Sequence, residues 1–71
     1  MKATETIQCE GKLLGVYLET STADERKAHI SYFIDGIEVT DWSKIANRYQ
    51  RILTALADNL CEGMNVIKWS Y

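Results

Sequence analysis

The fold of this chain depends on residues 41–60, DWSKIANRYQRILTALADNL. At the periodicity of an α-helix, one face of this stretch collects its apolar side chains: Trp42, Ile45, Tyr49, Ile52, Leu53, Leu56 and Leu60. The spacing predicts one long amphipathic helix, with Thr40 or Asp41 as N-cap and Gly63 at the C′ position, so that the helix ends around Cys61 or Glu62. The remaining segments are short and alternate between apolar and polar residues. This helix is therefore the only predicted element able to cover a sheet.

A first hairpin is predicted before the helix, over residues 4–20, TETIQCEGKLLGVYLET. The Gly11-Lys12 pair suits a two-residue turn, which would oppose Cys9 to Leu14. One face of this hairpin is then apolar and is predicted to be core: Ile7, Cys9, Leu14, Val16 and Leu18. The other face is mixed and carries Thr6, Gln8, Glu10, Leu13, Gly15, Tyr17 and Glu19.

A second hairpin is predicted over residues 29–40, HISYFIDGIEVT. Asp35-Gly36 is a strong signal for a type I′ turn, because both central positions of that turn need positive φ. The turn opposes Ile34 to Ile37, and its predicted core face consists of Ile30, Tyr32, Ile34, Ile37 and Val39. Phe33 points to the opposite face.

The segments that flank these elements leave alternatives open. In residues 21–28, STADERKA, the Thr22/Glu25 spacing fits a capping box and one helical turn, but a solvated loop fits equally well. The tail MNVIKWSY predicts a last strand, in which Ile67, Trp69 and Tyr71 either complete the core or form an exposed edge that pairs between chains. The summed order is β-β-β-β-α-β. It predicts one α+β domain over residues 1–71, a small and largely antiparallel sheet with a helix on one face.

Composition limits the classes of function. Net charge is −2, which gives no global attraction for nucleic acid or an anionic membrane. No apolar run is long enough to span a bilayer, and no apolar segment of a signal peptide follows Met1-Lys2, so a cytoplasmic location is expected. There Cys9 and Cys61 are expected to be reduced thiols, with a single disulfide as the alternative.

Catalysis has few candidate residues. His29 is the one histidine, and it lies at the start of a predicted strand, where a surface role is the simpler reading. The sequence contains no phosphate-binding glycine loop, no metal-ligand cluster and no nucleophile elbow. We therefore expect no enzyme activity, no cofactor and no metal.

Two surfaces could bind partners. On the helix, Lys44, Arg48 and Arg51 project within roughly 60° of each other beside the apolar stripe. Arg48 and Arg51 have no acidic residue three or four positions away, so the flank is either a site for an acidic partner or is neutralised by strand carboxylates such as Glu10. On the sheet, the face away from the helix is predicted to form an oligomer interface: Leu13, Tyr17, Phe33, Ile67, Trp69 and Tyr71.

These features favour a small protein-interaction module, expected to be a homodimer that acts as an accessory or inhibitor protein on a larger partner. The alternative is a nucleic-acid-binding or regulatory module that uses the basic flank. Nucleic acid is the less favoured partner, because Glu10, Glu19 and Glu38 are predicted on the open sheet face and would repel phosphates.

Overall fold

A computed structural model describes residues 2–20 and 26–69, and it confirms the α+β class. Five strands form one sheet, and one helix packs on it. The elements in chain order are β1 (Lys2–Cys9), β2 (Lys12–Thr20), β3 (Lys27–Ile34), β4 (Ile37–Glu38), a 3₁₀ helix (Trp42–Lys44), α1 (Asn47–Gly63) and β5 (Ile67–Trp69). The capping box predicted at Thr22 and Glu25 lies outside the described residues.

The sheet is antiparallel from β1 to β4, and its two edges differ. β1 pairs only with β2 within the described strands, along all eight of its residues. At the other edge, two short strands share β3: β4 lies beside Phe33 and Ile34, and β5 runs parallel to β3 beside residues 27–29. One edge is therefore long and continuous, whereas the other is divided.

The first turn lies one residue earlier than the sequence predicted. Its central residues are Glu10 and Gly11, with φ of 53° and 79°, and Cys9 pairs with Lys12. Both φ values are positive, as a type I′ turn requires, whereas the predicted Gly11-Lys12 turn needs positive φ only at the glycine. Moving the turn by one residue changes the pairing by two, so Ile7 opposes Leu14 and each strand residue keeps its predicted face.

The second turn forms as predicted. Asp35 and Gly36 have φ of 53° and 81°, and the pairs Ile34 with Ile37 and Phe33 with Glu38 are those the sequence predicted. The helix-facing residues of β3 then align with the core residues of β2.

The helical stretch is broken near its start. Asp41 caps the 3₁₀ helix by accepting a hydrogen bond from the Ser43 N–H (3.1 Å), but Ile45 and Ala46 then take extended ψ values of 133° and 140°. Gln50 stabilises the break, because its side-chain amide donates to the carbonyls of Trp42 (2.8 Å) and Ile45 (2.9 Å). The α-helix therefore begins at Asn47, so the single helix is confirmed but its predicted start at Thr40 or Asp41 was wrong.

The C′ residue that ends the helix is Asn65 rather than the predicted Gly63. Asn65 has φ of 55°, its N–H donates to the Glu62 carbonyl (3.1 Å), and the N–H of Val66 donates to the Cys61 carbonyl (3.0 Å). This pair of bonds is a Schellman motif with asparagine at C′, the residue that accepts left-handed φ most readily after glycine. Gly63 is the last residue of α1.

The core lies between α1 and the middle strands. Leu14, Val16 and Leu53 are fully buried, and they pack with Tyr49 and Ala57. A second cluster joins Leu18 and Ala28 to Cys61 near the end of the helix. Cys9 and Cys61 are free thiols.

Ile67, an apolar residue of the last strand, is exposed to solvent. Ile67 pairs with Lys27, next to the buried Ala28, so it lies on the face away from α1 and is 69% exposed. Placing Ile67 in the core was therefore wrong. Lys68 occupies the helix side instead and reaches Asp58 (3.2 Å). Tyr71 lies outside the described residues.

Candidate functional site

The sheet face opposite α1, called here the outer face, is apolar at its centre. Gly15 opposes Phe33 on one side and Thr6 on the other, while Leu13 and Tyr17 lie two residues before and after it on β2. They surround a depression of about 230 Å³. Because Gly15 has no side chain, the floor of this depression is backbone.

The Asp35-Gly36 turn fixes Leu13 at the rim of this depression. The N–H of Leu13 donates to the Asp35 carboxylate (3.0 Å), and its carbonyl accepts from the Asp35 N–H (2.8 Å). Lys12 lies 3.7 Å from the same carboxylate. The Asp35-Gly36 turn thus reaches β2 directly and holds Leu13, which is 38% exposed, in a fixed position.

Charged residues lie at the margin of the outer face. Its centre is uncharged and includes Thr4, Thr6, Leu13, Gly15, Tyr17, Ser31 and Phe33. Glu19 accepts a hydrogen bond from the Tyr17 hydroxyl (3.2 Å), and Glu38 lies beside Phe33. Glu10, which was predicted on this face, belongs to the turn and pairs with Arg48 on the helix side.

The structure brings together only part of the predicted oligomer interface. Leu13, Tyr17 and Phe33 form one patch around Gly15. Ile67 lies at a distant corner of the same face, since it pairs with Lys27 at the opposite end of β3. The position of Trp69 in the register is beside His29.

The predicted basic flank is divided. Lys44 lies in the 3₁₀ helix, before the break, and is 3.9 Å from Asp41. Arg48 donates from Nε to Glu10 and lies over the Tyr49 ring at 4.7 Å. These contacts, chiefly the hydrogen bonds to Tyr49 and Glu10, raise the pKa of Arg48.

All three cations of the flank are exposed, but Arg51 alone of them forms no ion pair within residues 2–20 and 26–69. The sequence predicted that strand carboxylates such as Glu10 could neutralise the flank, and Glu10 neutralises Arg48. The flank presents less free positive charge than three aligned cations would.

A second surface, which the sequence did not predict, lies along β1. A groove of about 460 Å³ separates β1 from the C-terminal half of α1, and its lining residues are Glu5, Leu56, Asn59, Leu60, Gly63 and Met64. It exists because α1 lies mainly over β2, leaving Ile7 of β1 43% exposed. The exposure of Ile7 follows from how the helix lies across the sheet, which periodicity does not encode.

An ionisable cluster joins α1 to the parallel strand pair. Burial raises the pKa of Tyr32 and of the Cys61 thiol. Burial lowers the pKa of Lys68, but the hydrogen bond that Lys68 donates to Asp58 and nearby charges outweigh it, so the net shift of the pKa is upward. A raised thiol pKa leaves little thiolate at neutral pH, so Cys61 is a packed side chain and not an activated nucleophile.

The part of the chain that the structure describes contains neither a membrane-spanning helix nor a cluster of metal ligands. No helix there is long and apolar enough to cross a membrane. No group of three or more His, Cys, Asp or Glu side chains there could hold a metal ion. Comparison with protein-family models, with curated protein sequences and with solved structures finds no match to the chain.

Proposed function

We propose that the protein is a small, non-enzymatic protein-interaction module that forms a homodimer and acts as a cytoplasmic accessory or inhibitor protein by binding a larger protein partner. The observation that carries this proposal is the outer face, where Leu13, Tyr17 and Phe33 surround an uncharged depression with charged residues at its margin. An apolar centre with a polar rim is the usual anatomy of a protein interface.

A second copy of the chain is the proposed occupant of the outer face. Only eight hydrophobic residues of the described chain are buried, so the core is thin and added burial would stabilise it. A standard interface takes about 800 Å² from each partner, and the whole chain exposes 4913 Å². Two open sheet faces can meet about a twofold axis with the two helices outermost, as in a β-sandwich.

The basic flank is a proposed contact for an acidic part of the larger partner. Arg51 supports this role because it is exposed and forms no ion pair within the described residues, and Arg48 could contribute only where the partner displaces Glu10. The nucleic-acid alternative has weaker support, since the pairing of Arg48 with Glu10 reduces the free positive charge.

The dimer is tested by measuring mass in solution. We expect light scattering to give a dimer mass that survives moderate salt, because apolar contacts are not screened. Leu13→Glu places a charge at the rim of the depression and is expected to give a monomer. Ile37→Glu is the matched control: Ile37 is 73% exposed and belongs to the helix-facing side of the sheet, so this variant should remain dimeric. A wild-type monomer at high micromolar concentration would contradict the dimer.

A further inference from the structure

The groove between β1 and α1, together with the free edge of β1, has the features of a strand-binding site. We propose that it takes an extended segment of the partner protein, which pairs with β1 as an added strand. One apolar side chain of that segment packs on Leu56, Leu60 and Met64, and a lysine or arginine lies beside Glu5. This adds a site and a partner chemistry to the interaction-module function, on which it rests.

The backbone of β1 is available for such pairing. The two-residue turn closes on Cys9 and Lys12, so these two residues exchange both hydrogen bonds. Bonding then alternates along the antiparallel pair, which directs the backbone N–H and C=O groups of Thr4, Thr6 and Gln8 to the free edge.

Most features that usually prevent strand addition are missing from this edge: the charged residues of β1 are Lys2 at its start and Glu5 on the helix side. β1 contains no proline, and its pairing with β2 runs without a bulge over eight residues. Its edge-directed residues Thr4 and Thr6 are β-branched and uncharged. Natural edges are usually blunted by shortness, bulges, proline or charge, so an edge of this length is suited to pairing with another strand.

The groove defines which side chains the added strand needs. A residue on the helix side of an added strand would enter the 460 Å³ space, where Leu56, Leu60 and Met64 are half-buried and able to gain contacts. Side chains alternate along a strand, so the neighbouring helix-side positions are two residues away. The expected segment therefore has a large apolar residue and a basic residue two positions apart.

Charge favours a basic residue in that segment. Glu5 is exposed and forms no ion pair within the described residues. The groove also lies at the C-terminal half of α1, whose last turn has no basic residue, so the negative end of the helix dipole has no cation from this turn. Both features attract a cation.

The same charge argument disfavours a second copy of β1 as the occupant. The helix-side residues of β1 are Ala3, Glu5, Ile7 and Cys9, none of which is basic. A self-paired β1 would therefore leave both copies of Glu5 without a cation.

A random decapeptide library displayed on phage tests the site directly. We expect enrichment of peptides with an apolar and a basic residue two positions apart. Synthetic peptides with the enriched sequences should bind the Glu5→Lys variant about tenfold more weakly than they bind the wild type. Glu38→Lys, an exposed strand glutamate at the opposite edge with the same charge change, is the matched control and should bind normally. Failure to enrich peptides, or equal binding to Glu5→Lys and wild type, would overturn the proposal.

Strand pairing has its own readout. On peptide binding, hydrogen exchange should slow at the amides of Thr4, Thr6 and Gln8. Thr6→Pro removes one edge donor without breaking the β1–β2 ladder, so a folded Thr6→Pro protein should lose peptide binding. Unchanged exchange at all three amides would overturn the proposal.

The proposed dimer can fail independently of this site. Leu13→Glu should disrupt the dimer and leave peptide binding intact. If the amides of Thr4, Thr6 and Gln8 are already protected from exchange in a wild-type dimer without peptide, β1 pairs with a second copy and the partner-strand proposal is wrong.

Discussion

Arg48 on α1 donates a hydrogen bond from Nε to the carboxylate of Glu10 at the tip of the first hairpin, 38 residues away in sequence. The pair connects the helix flank to the sheet. It also neutralises Arg48, which has no acidic residue three or four positions away on the helix. Both side chains are more than half exposed, so we expect the pair to add little to stability. Its larger effect is on the charge available to polyanions.

The first prediction uses that pair. Glu10→Gln releases Arg48 beside Arg51, and we expect it to increase retention on heparin at low salt. Glu19→Gln is the matched control, because it removes the same charge from the outer face, away from the flank. Retention is measured as the salt concentration at elution. Equal elution of the two variants would show that Glu10 does not mask the flank.

The second prediction concerns alkaline stability. The pKa values of Tyr32, Cys61 and Lys68 are all raised in the folded protein, so the folded state retains these protons at a pH where the unfolded chain loses them. Their stabilisation is complete below the unfolded pKa values. It should decline from about pH 9, the ordinary pKa of a thiol.

Cys61→Ala tests the order of these titrations. Without the thiol, the decline in the free energy of unfolding should begin nearer pH 10, where tyrosine and lysine titrate. The variant also loses buried volume, which should cost about 1 kcal/mol at neutral pH. Urea unfolding between pH 7 and 11 measures both effects. An identical alkaline profile for wild type and Cys61→Ala would remove the thiol from this explanation.

The third prediction concerns the core. Leu53 is fully buried between α1 and the β2 residues Leu14 and Val16. We expect Leu53→Ala to lower the free energy of unfolding by about 2–5 kcal/mol, a large share of what a domain of this size has. Ala55, exposed on the same helix, is the control position: Ala55→Ser should change stability by less than about 0.5 kcal/mol. Thermal unfolding followed by circular dichroism compares the two variants.

Turn chemistry explains why the hairpins could be predicted from sequence more accurately than the helix. Asp35-Gly36 fits one turn type, and the structure follows it. Around Gly11, two turns fit the sequence, and choosing Gly11-Lys12 displaced the pairing by two residues. Each residue of the hairpin still lies on its predicted side of the sheet, because a shift of two preserves strand alternation, but Ile7 is exposed rather than part of the core.

The break before Asn47 has a different cause. Apolar spacing continues through Trp42 and Ile45, and no glycine or proline interrupts it, so periodicity predicts a continuous helix. The bonds from Gln50 to the two carbonyls that stabilise the break come from a side chain whose direction the pattern does not specify. The break separates Lys44 from Arg48 and divides the predicted basic flank.

The groove beside β1 could not be predicted for a related reason. Its lining joins Glu5 to residues of α1 more than fifty positions later in the chain, such as Leu60. Amphipathic periodicity shows that Leu60 faces the sheet, but not which strands the helix covers. The apolar patch of Leu13, Tyr17 and Phe33 needed only strand alternation and was predicted correctly.

The fourth prediction concerns the end of the helix. Asn65 has φ of 55° at the C′ position of the Schellman motif. A side chain such as alanine is disfavoured there by roughly 1 kcal/mol, so Asn65→Ala should lower the free energy of unfolding by about that amount. Asn65→Gly should preserve or slightly raise it, since glycine accepts positive φ without penalty.

Asn59 supplies the control for the same substitution, because it is exposed in the interior of α1 and asparagine is a weaker helix former than alanine. Asn59→Ala should therefore raise the free energy of unfolding, by roughly 0.5 kcal/mol. Urea unfolding of the three variants tests the assignment. The expected signs are opposite for the two Asn→Ala changes, and destabilisation by Asn65→Gly equal to that by Asn65→Ala would show that backbone conformation at position 65 is not what ends the helix.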